Sequence, residues 1–187
     1  MMTNKAAQSL SCHFEKIVII GPDAIPAWRQ LRLRGLREHP ESFGQTAEAF
    51  QAKSDAQIAT TMREHAEFGG FTLAALSKSG ELLGTVGLMV RGPGKSSHRA
   101  ELWGMYVAPE CRGQGVGQQL VQELIARAEQ IPGLEQIHLA VVTSNESAIA
   151  LYKKMGFETY GTDPRVLKVG EQVYDEFLMV RRLARSR

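Results

Sequence analysis

Arg112-Gly113-Gln114-Gly115-Val116-Gly117-Gln118 is the stretch whose residue types point most directly to chemistry. Glycines let backbone N–H groups come close to a partner. The unpaired N–H groups of a helix's first turn, together with the helix dipole, favour an anion. Arg112 adds a fixed charge suited to phosphate oxygens. The combination reads as a phosphate cradle. Its competing reading is a glycine-rich connection that serves only tight packing.

Spacing tests two common cradles. A dinucleotide fingerprint needs Gly-x-Gly-x-x-Gly, and Gln118 stands where the third glycine belongs. A Walker A loop needs Gly-x-x-x-x-Gly-Lys-Ser/Thr. Gly94-Lys95-Ser96 supplies its end, but Met89 holds the place of the first glycine, and a loop and strand follow instead of a helix. Neither fits, which also removes a nucleotide hydrolase built around Lys95.

The elements around the loop are legible from composition and period. Residues 101–107 are rich in aromatic and apolar side chains, as in a strand, and Pro109 ends it. Val116, Leu120, Val121, Leu124, Ile125 and Ala128 then recur at helical spacing. Upstream, residues 14–20 read as a first strand closed by Gly21-Pro22-Asp23. Ile25, Trp28, Leu31 and Leu36 mark a helix ending near His39-Pro40, with the arginines between them facing solvent. Ser54 and Gln57 form a capping box for a helix over 54–66. Residues 71–77 and 82–90 form a hairpin. His98 falls in a polar loop and reads as a solvated histidine. Residues 136–143 are a strand, 145–155 a shorter helix and 173–180 a terminal strand, followed by a basic tail over 181–187. Strands alternating with helices between flanking hairpins imply a mixed α/β sheet.

The chain is long enough for one domain over 1–187, with 1–12 as a tail. It is 43% hydrophobic and 22% charged, with a net charge of +2, too small to indicate nucleic-acid or membrane binding. Cys12 and Cys111 lie far apart without Cys-x-x-Cys pairing, so neither a disulfide framework nor a metal site is suggested. No signal-peptide pattern or membrane-length apolar run occurs, which implies a cytoplasmic protein.

Arg112, Gly115 and Gly117 form Arg-x-x-Gly-x-Gly directly after a Val-x-Pro strand end. Asn145, Ala148, Tyr152, Gly156 and Phe157 form Asn-x-x-Ala-x-x-x-Tyr-x-x-x-Gly-Phe one helix and one strand later. The two motifs, in this order, resemble those of the GCN5-related N-acetyltransferase (GNAT) superfamily, most fully over residues 70–160. The resemblance implies an α+β fold. Its twisted, mostly antiparallel sheet has about seven strands and about four flanking helices, and its parallel fourth and fifth strands splay apart.

It also implies acetyl transfer from acetyl-CoA, a co-substrate, to a primary amine in a ternary complex, with no metal. Backbone groups of Met105, Tyr106 and Val107, at a bulge eased by Gly104, would bond pantetheine and the acetyl oxygen. Arg112, Gly113, Gln114, Gly115, Val116, Gly117 and Gln118 would hold the pyrophosphate. Asn145 would bond the pantetheine arm or cap its helix. Tyr152 would protonate the leaving thiolate, since a phenol near ~10 can donate to a thiolate whose acid lies near ~8.5. Glu101 matches the general base of one family branch. Ala140 and Trp103 stand where other branches place a glutamate and a histidine, leaving Glu101, ordered water or an amine that arrives neutral. Phe43, Phe50 and His65 lie in the region that covers the acceptor cleft in the family. The alternative function is a non-catalytic acyl-CoA-binding module. The family often forms a homodimer, and no sequence feature decides that here or names the acceptor.

Overall fold

The computed structural model describes residues 14–184. Seven strands form one sheet in the order β1-β2-β3-β4-β5-β7-β6. They are β1 Phe14–Ile19, β2 Phe71–Ser77, β3 Leu82–Val90, β4 Arg99–Val107, β5 Gln136–Val142, β6 Glu158–Val169 and β7 Gln172–Arg182. All neighbours are antiparallel except β4 and β5.

Among the described residues the α-helices are α1 Ile25–Glu38, α2 Ala47–Gln51, α3 Asp55–Ala66, α4 Val116–Ala128 and α5 Glu146–Lys154. The capping box of α3 is present in full: the Ser54 hydroxyl accepts from the Gln57 N–H, and the Gln57 side chain accepts from the Ser54 N–H. The helix α2 is one more than the pattern predicts. Its five residues are too few to display a 3.6-residue period.

Strands β2 and β3 are buried at nearly every position, so helices cover both sheet faces. Leu73 and Ala75 join the core cluster containing Leu120, Val121 and Leu124 of α4. Ala74, on the opposite face, joins Trp28, Leu36 and Ile58 from α1 and α3. The Trp28 indole donates to Thr85 Oγ1 at 2.9 Å, and Thr85 donates to the Leu73 carbonyl at 2.9 Å. These two bonds pair the Trp28 indole N–H and the Thr85 hydroxyl where α1 meets the sheet.

Two differences from the sequence reading concern the chain's end. The strand β6 is not foreseen, because it is an exposed strand at the sheet margin without apolar alternation. Strand β7 also runs to Arg182, into residues read as a basic tail. The proposed tail over 1–12 and Cys12 lie outside the described residues, while Cys111 is buried. No helix among the described residues is long and apolar enough to cross a membrane.

Candidate active site

The parallel pairing of β4 with β5 covers only Arg99–Glu101 against Gln136–His138. Beyond Glu101 the strands part, and one edge of β4 loses its partner. On the other edge, Thr85 pairs with Tyr106 and Gly87 with Trp103, so β4 carries one residue more than β3 across this interval. That is a β-bulge, and Gly104 sits in it at φ 65°. Neither Gly104 nor Met105 has a register partner on β3. The bulge foreseen at Gly104 is therefore present.

After β4 the chain turns through Pro109–Cys111 into α4. Gly115 is the helix N-cap at φ 81°, a left-handed conformation that costs other residues energy. It offers no side-chain cap, so the first-turn N–H groups keep their capacity for an anion. A Cβ on Gly117 would stand 3.1 Å from Met105 Cε, so a bare glycine allows α4 to approach β4 closely. Arg112 donates through Nε to the Val107 carbonyl at 3.0 Å, and its Nη2 lies 3.0 Å from His39 Nε2. Gln114 donates to the Glu110 carbonyl at 3.3 Å, and Gln118 accepts from Lys154 Nζ at 2.8 Å.

Helix α5 supplies the far wall. Asn145 accepts at Oδ1 from the Ala148 N–H at 3.2 Å and from Ser147 Oγ at 3.1 Å. The capping role is thus real, and it leaves the Asn145 amide NH2 for another acceptor. Between β4, the glycine loop and α5 lies a cleft of about 500 Å³. Met105, Tyr106 and Val107 border it, as do Arg112, Gly113, Gly115, Val116, Gly117 and Asn145. Ser144, Ser147 and His39 also border it and were not singled out in the sequence. Gln114, Gln118 and Tyr152 are not in its lining.

Tyr152 is buried one helical turn beyond Ala148, edge-on to Phe157 with centroids 5.8 Å apart. Desolvation raises its phenol well above the ordinary value, so it stays protonated. Tyr106 donates to Glu38 at 2.6 Å, and Glu38 pairs with Arg34 at 2.8 Å. Burial, then the Glu38 bond, pushes the Tyr106 phenol up as well. This chain ties the cleft's β4 wall to α1.

A second cavity, about 130 Å³, lies on the α1–α3 side of β4. Phe50, His65 and Trp103 line it, while Phe43 borders the larger cleft. His65 is pulled below its ordinary pKa by desolvation and meets Trp103 edge-on at 6.1 Å. Glu101 pairs in register with Met89, which lines this cavity, and its carboxylate accepts from Arg91. Arg32 also lines the cavity and is buried, contrary to the expectation that the α1 arginines face solvent. The missed signal was spacing: Arg32 lies four residues from both Trp28 and Leu36, inside the apolar stripe. Among the described residues no group of three or more His, Cys, Asp or Glu could hold a metal ion.

Residues 28–157 match the acetyltransferase (GNAT) family. The chain is 30% identical over 131 residues to the mycothiol acetyltransferase of Salinispora tropica, covering 70% of this chain and 40% of that protein. It therefore spans about two fifths of that relative's length. It is 33% identical over 103 residues to the L-amino acid N-acetyltransferase AaaT of Escherichia coli, covering 54% of this chain and 62% of that one. The crystal structure of a phosphinothricin acetyltransferase from Sinorhizobium meliloti, in complex with AcCoA, superposes with a TM-score of 0.78. That match spans 90% of this chain and 88% of that one at 21% identity, a likeness of fold. The chain belongs to the acetyltransferase (GNAT) family.

Proposed function

We propose that the protein is an acetyl-CoA-dependent N-acetyltransferase acting on a small-molecule amine by direct attack in a ternary complex. The observation that carries this reading is the conjunction at one cleft: the β4 bulge, the parted β4–β5 edge and the uncapped N-terminus of α4. The amino-acid acetyltransferase among the relatives supports a small amine as the acceptor class.

Acetyl-CoA supplies an acyl group activated as a thioester. Arg112 and the N–H groups of the 113–117 loop hold its pyrophosphate, where charge-assisted bonds are strongest. The Asn145 NH2, left free by its capping oxygen, bonds the pantetheine arm. Backbone N–H groups of Met105–Val107 polarise the thioester carbonyl, acting as fixed dipoles. The amine lone pair forms the C–N bond as the C–S bond breaks. The thiolate takes a proton from Tyr152, which solvent then reprotonates. The ammonium proton passes through water to Glu101, which stands where β4 and β5 begin to part.

Tyr152 is suited to donation because burial keeps its hydroxyl protonated. The same burial makes it a weaker acid than a phenol in water. Calorimetric titration with acetyl-CoA, followed by mass-spectrometric detection of an N-acetylated amine, tests the reading. Saturable binding and an acetylated product support it, and no binding of acetyl-CoA overturns it.

A further inference from the structure

The cavity beside β4 is lined by a buried charge with no counterion among the described residues. Arg32 is 5% exposed, and its Nε and Nη1 are buried without a hydrogen-bond partner among the described residues. The indole Nε1 of Trp103, a residue that lines the same cavity, is packed over Gly87 and is also buried without an acceptor among the described residues. Buried donors are almost always paired, so three orphans around one small space require an explanation. Desolvation lowers the Arg32 pKa to about 10, which leaves it charged at neutral pH.

The surroundings offset this only in part. The guanidinium stands 4.5 Å from the Phe43 ring centroid and 5.8 Å from that of Trp103. Ring faces attract a cation but do not replace an oxygen in the plane of its N–H groups. Among the described residues no aspartate or glutamate lines the cavity, whose walls include the apolar Trp28, Phe50, Ile58 and Met62 beside the polar Gln45, Lys53, Thr61 and His65. A buried cation of this kind, in an apolar pocket, is complementary to a small anion attached to an apolar group.

Position links this charge to the transfer site. Arg32 Nη1 lies 3.3 Å from where a Cβ on Gly104 would stand, and Gly104 is in the bulge. Phe43 borders the larger cleft and carries Arg32 over its ring. Arg32 therefore occupies the seam between the cleft and the cavity.

We infer that Arg32, assisted by Trp103 Nε1, is a carboxylate-binding subsite, and that the acceptor is an α-amino acid with an apolar side chain. The carboxylate would meet the orphan donors, the side chain would fill the apolar cavity, and the amine would lie toward the bulge. A carboxylate matches the buried, unpartnered Arg32 guanidinium. This inference rests on the acetyltransferase reading.

The test compares leucine, methionine and phenylalanine with their amides as acceptors, for the wild type and R32M. Methionine keeps much of the arginine's length and removes its charge. The wild type is expected to use at least one acid about thirtyfold or more better than its amide, and R32M to bring that ratio close to unity. Acetyl-CoA affinity, read by calorimetry, is retained in R32M. In thermal denaturation the preferred amino acid raises the wild-type Tm but not that of R32M. Equal use of acids and amides by the wild type overturns the subsite even if R32M fails to fold. A preference that survives in R32M also overturns it, as does the absence of any wild-type Tm shift. Absence of turnover with every amine, with the Arg32-dependent Tm shift intact, sinks the transferase reading and leaves the subsite standing.

Discussion

Arg112 donates from Nε to the carbonyl of Val107 at 3.0 Å, tying the glycine loop to the last residue of β4. One side chain thus fixes the loop, meets His39 through Nη2 and borders the cleft. Arg112→Ala should raise the Kd for acetyl-CoA by roughly 10–100-fold, the equivalent of one hydrogen bond to a charged group. Calorimetry checks this. Unchanged affinity would remove Arg112 from pyrophosphate binding.

Gly104 combines a positive φ of 65° with close approach to Arg32. Gly104→Ala should destabilise the fold by about 1–2 kcal/mol through left-handed backbone strain. If the strand relaxes out of the bulge, acetyl transfer should fall further than stability does. Denaturant titration beside steady-state kinetics separates the two. Normal kcat in a destabilised variant would show that the bulge geometry is not needed for chemistry.

Glu101→Gln should lower kcat/KM near neutral pH by about 10²-fold or more, with partial recovery at alkaline pH where the amine is already neutral. A loss that stays constant across pH would assign Glu101 a structural role through Arg91 instead.

The Tyr152 phenol is raised above its ordinary value by desolvation, so its protonated, proton-donating form persists to higher pH. The rate should therefore rise with pH as the acceptor amine deprotonates, with no descending limb from Tyr152 below about pH 10. The stability linkage follows from the same raised value and runs downward with pH. The native state disfavours phenolate, so the Tyr152 contribution is complete below the unfolded pKa near ~10 and is lost as pH rises through the folded value. A descending limb below pH 9 that disappears in Tyr152→Phe would contradict this.

The central unit was legible because each of its signals is local. Glycines at 113, 115 and 117 and the heptad-like spacing after Val116 announce a loop and a helix without knowledge of the rest of the chain. The loop-to-helix cradle followed from residue type, whereas the bulge eased by Gly104 followed from the family resemblance. Strand β6 was not legible, because an exposed strand with Asp163-Pro164 at its centre resembles a loop in composition. Arg32 was misread because arginine usually marks a solvent face, and only its i, i+4 relation to Trp28 and Leu36 argued otherwise. Its orphan donors depend on Phe43, Gly104 and Trp103 meeting from distant segments, which no local pattern encodes. The burial of Tyr152 away from the cleft lining is likewise a property of packing against Phe157.

The most direct measurement is release of free thiol from acetyl-CoA with a panel of amines, for the wild type beside Tyr152→Phe. Amine-dependent release is expected, falling by about 10²–10⁴-fold in the variant while acetyl-CoA binding is kept. Release unaffected by the substitution would contradict Tyr152 as the acid. Acetyl-CoA bound tightly but never consumed with any amine would contradict the enzyme itself and favour an acyl-CoA-binding module.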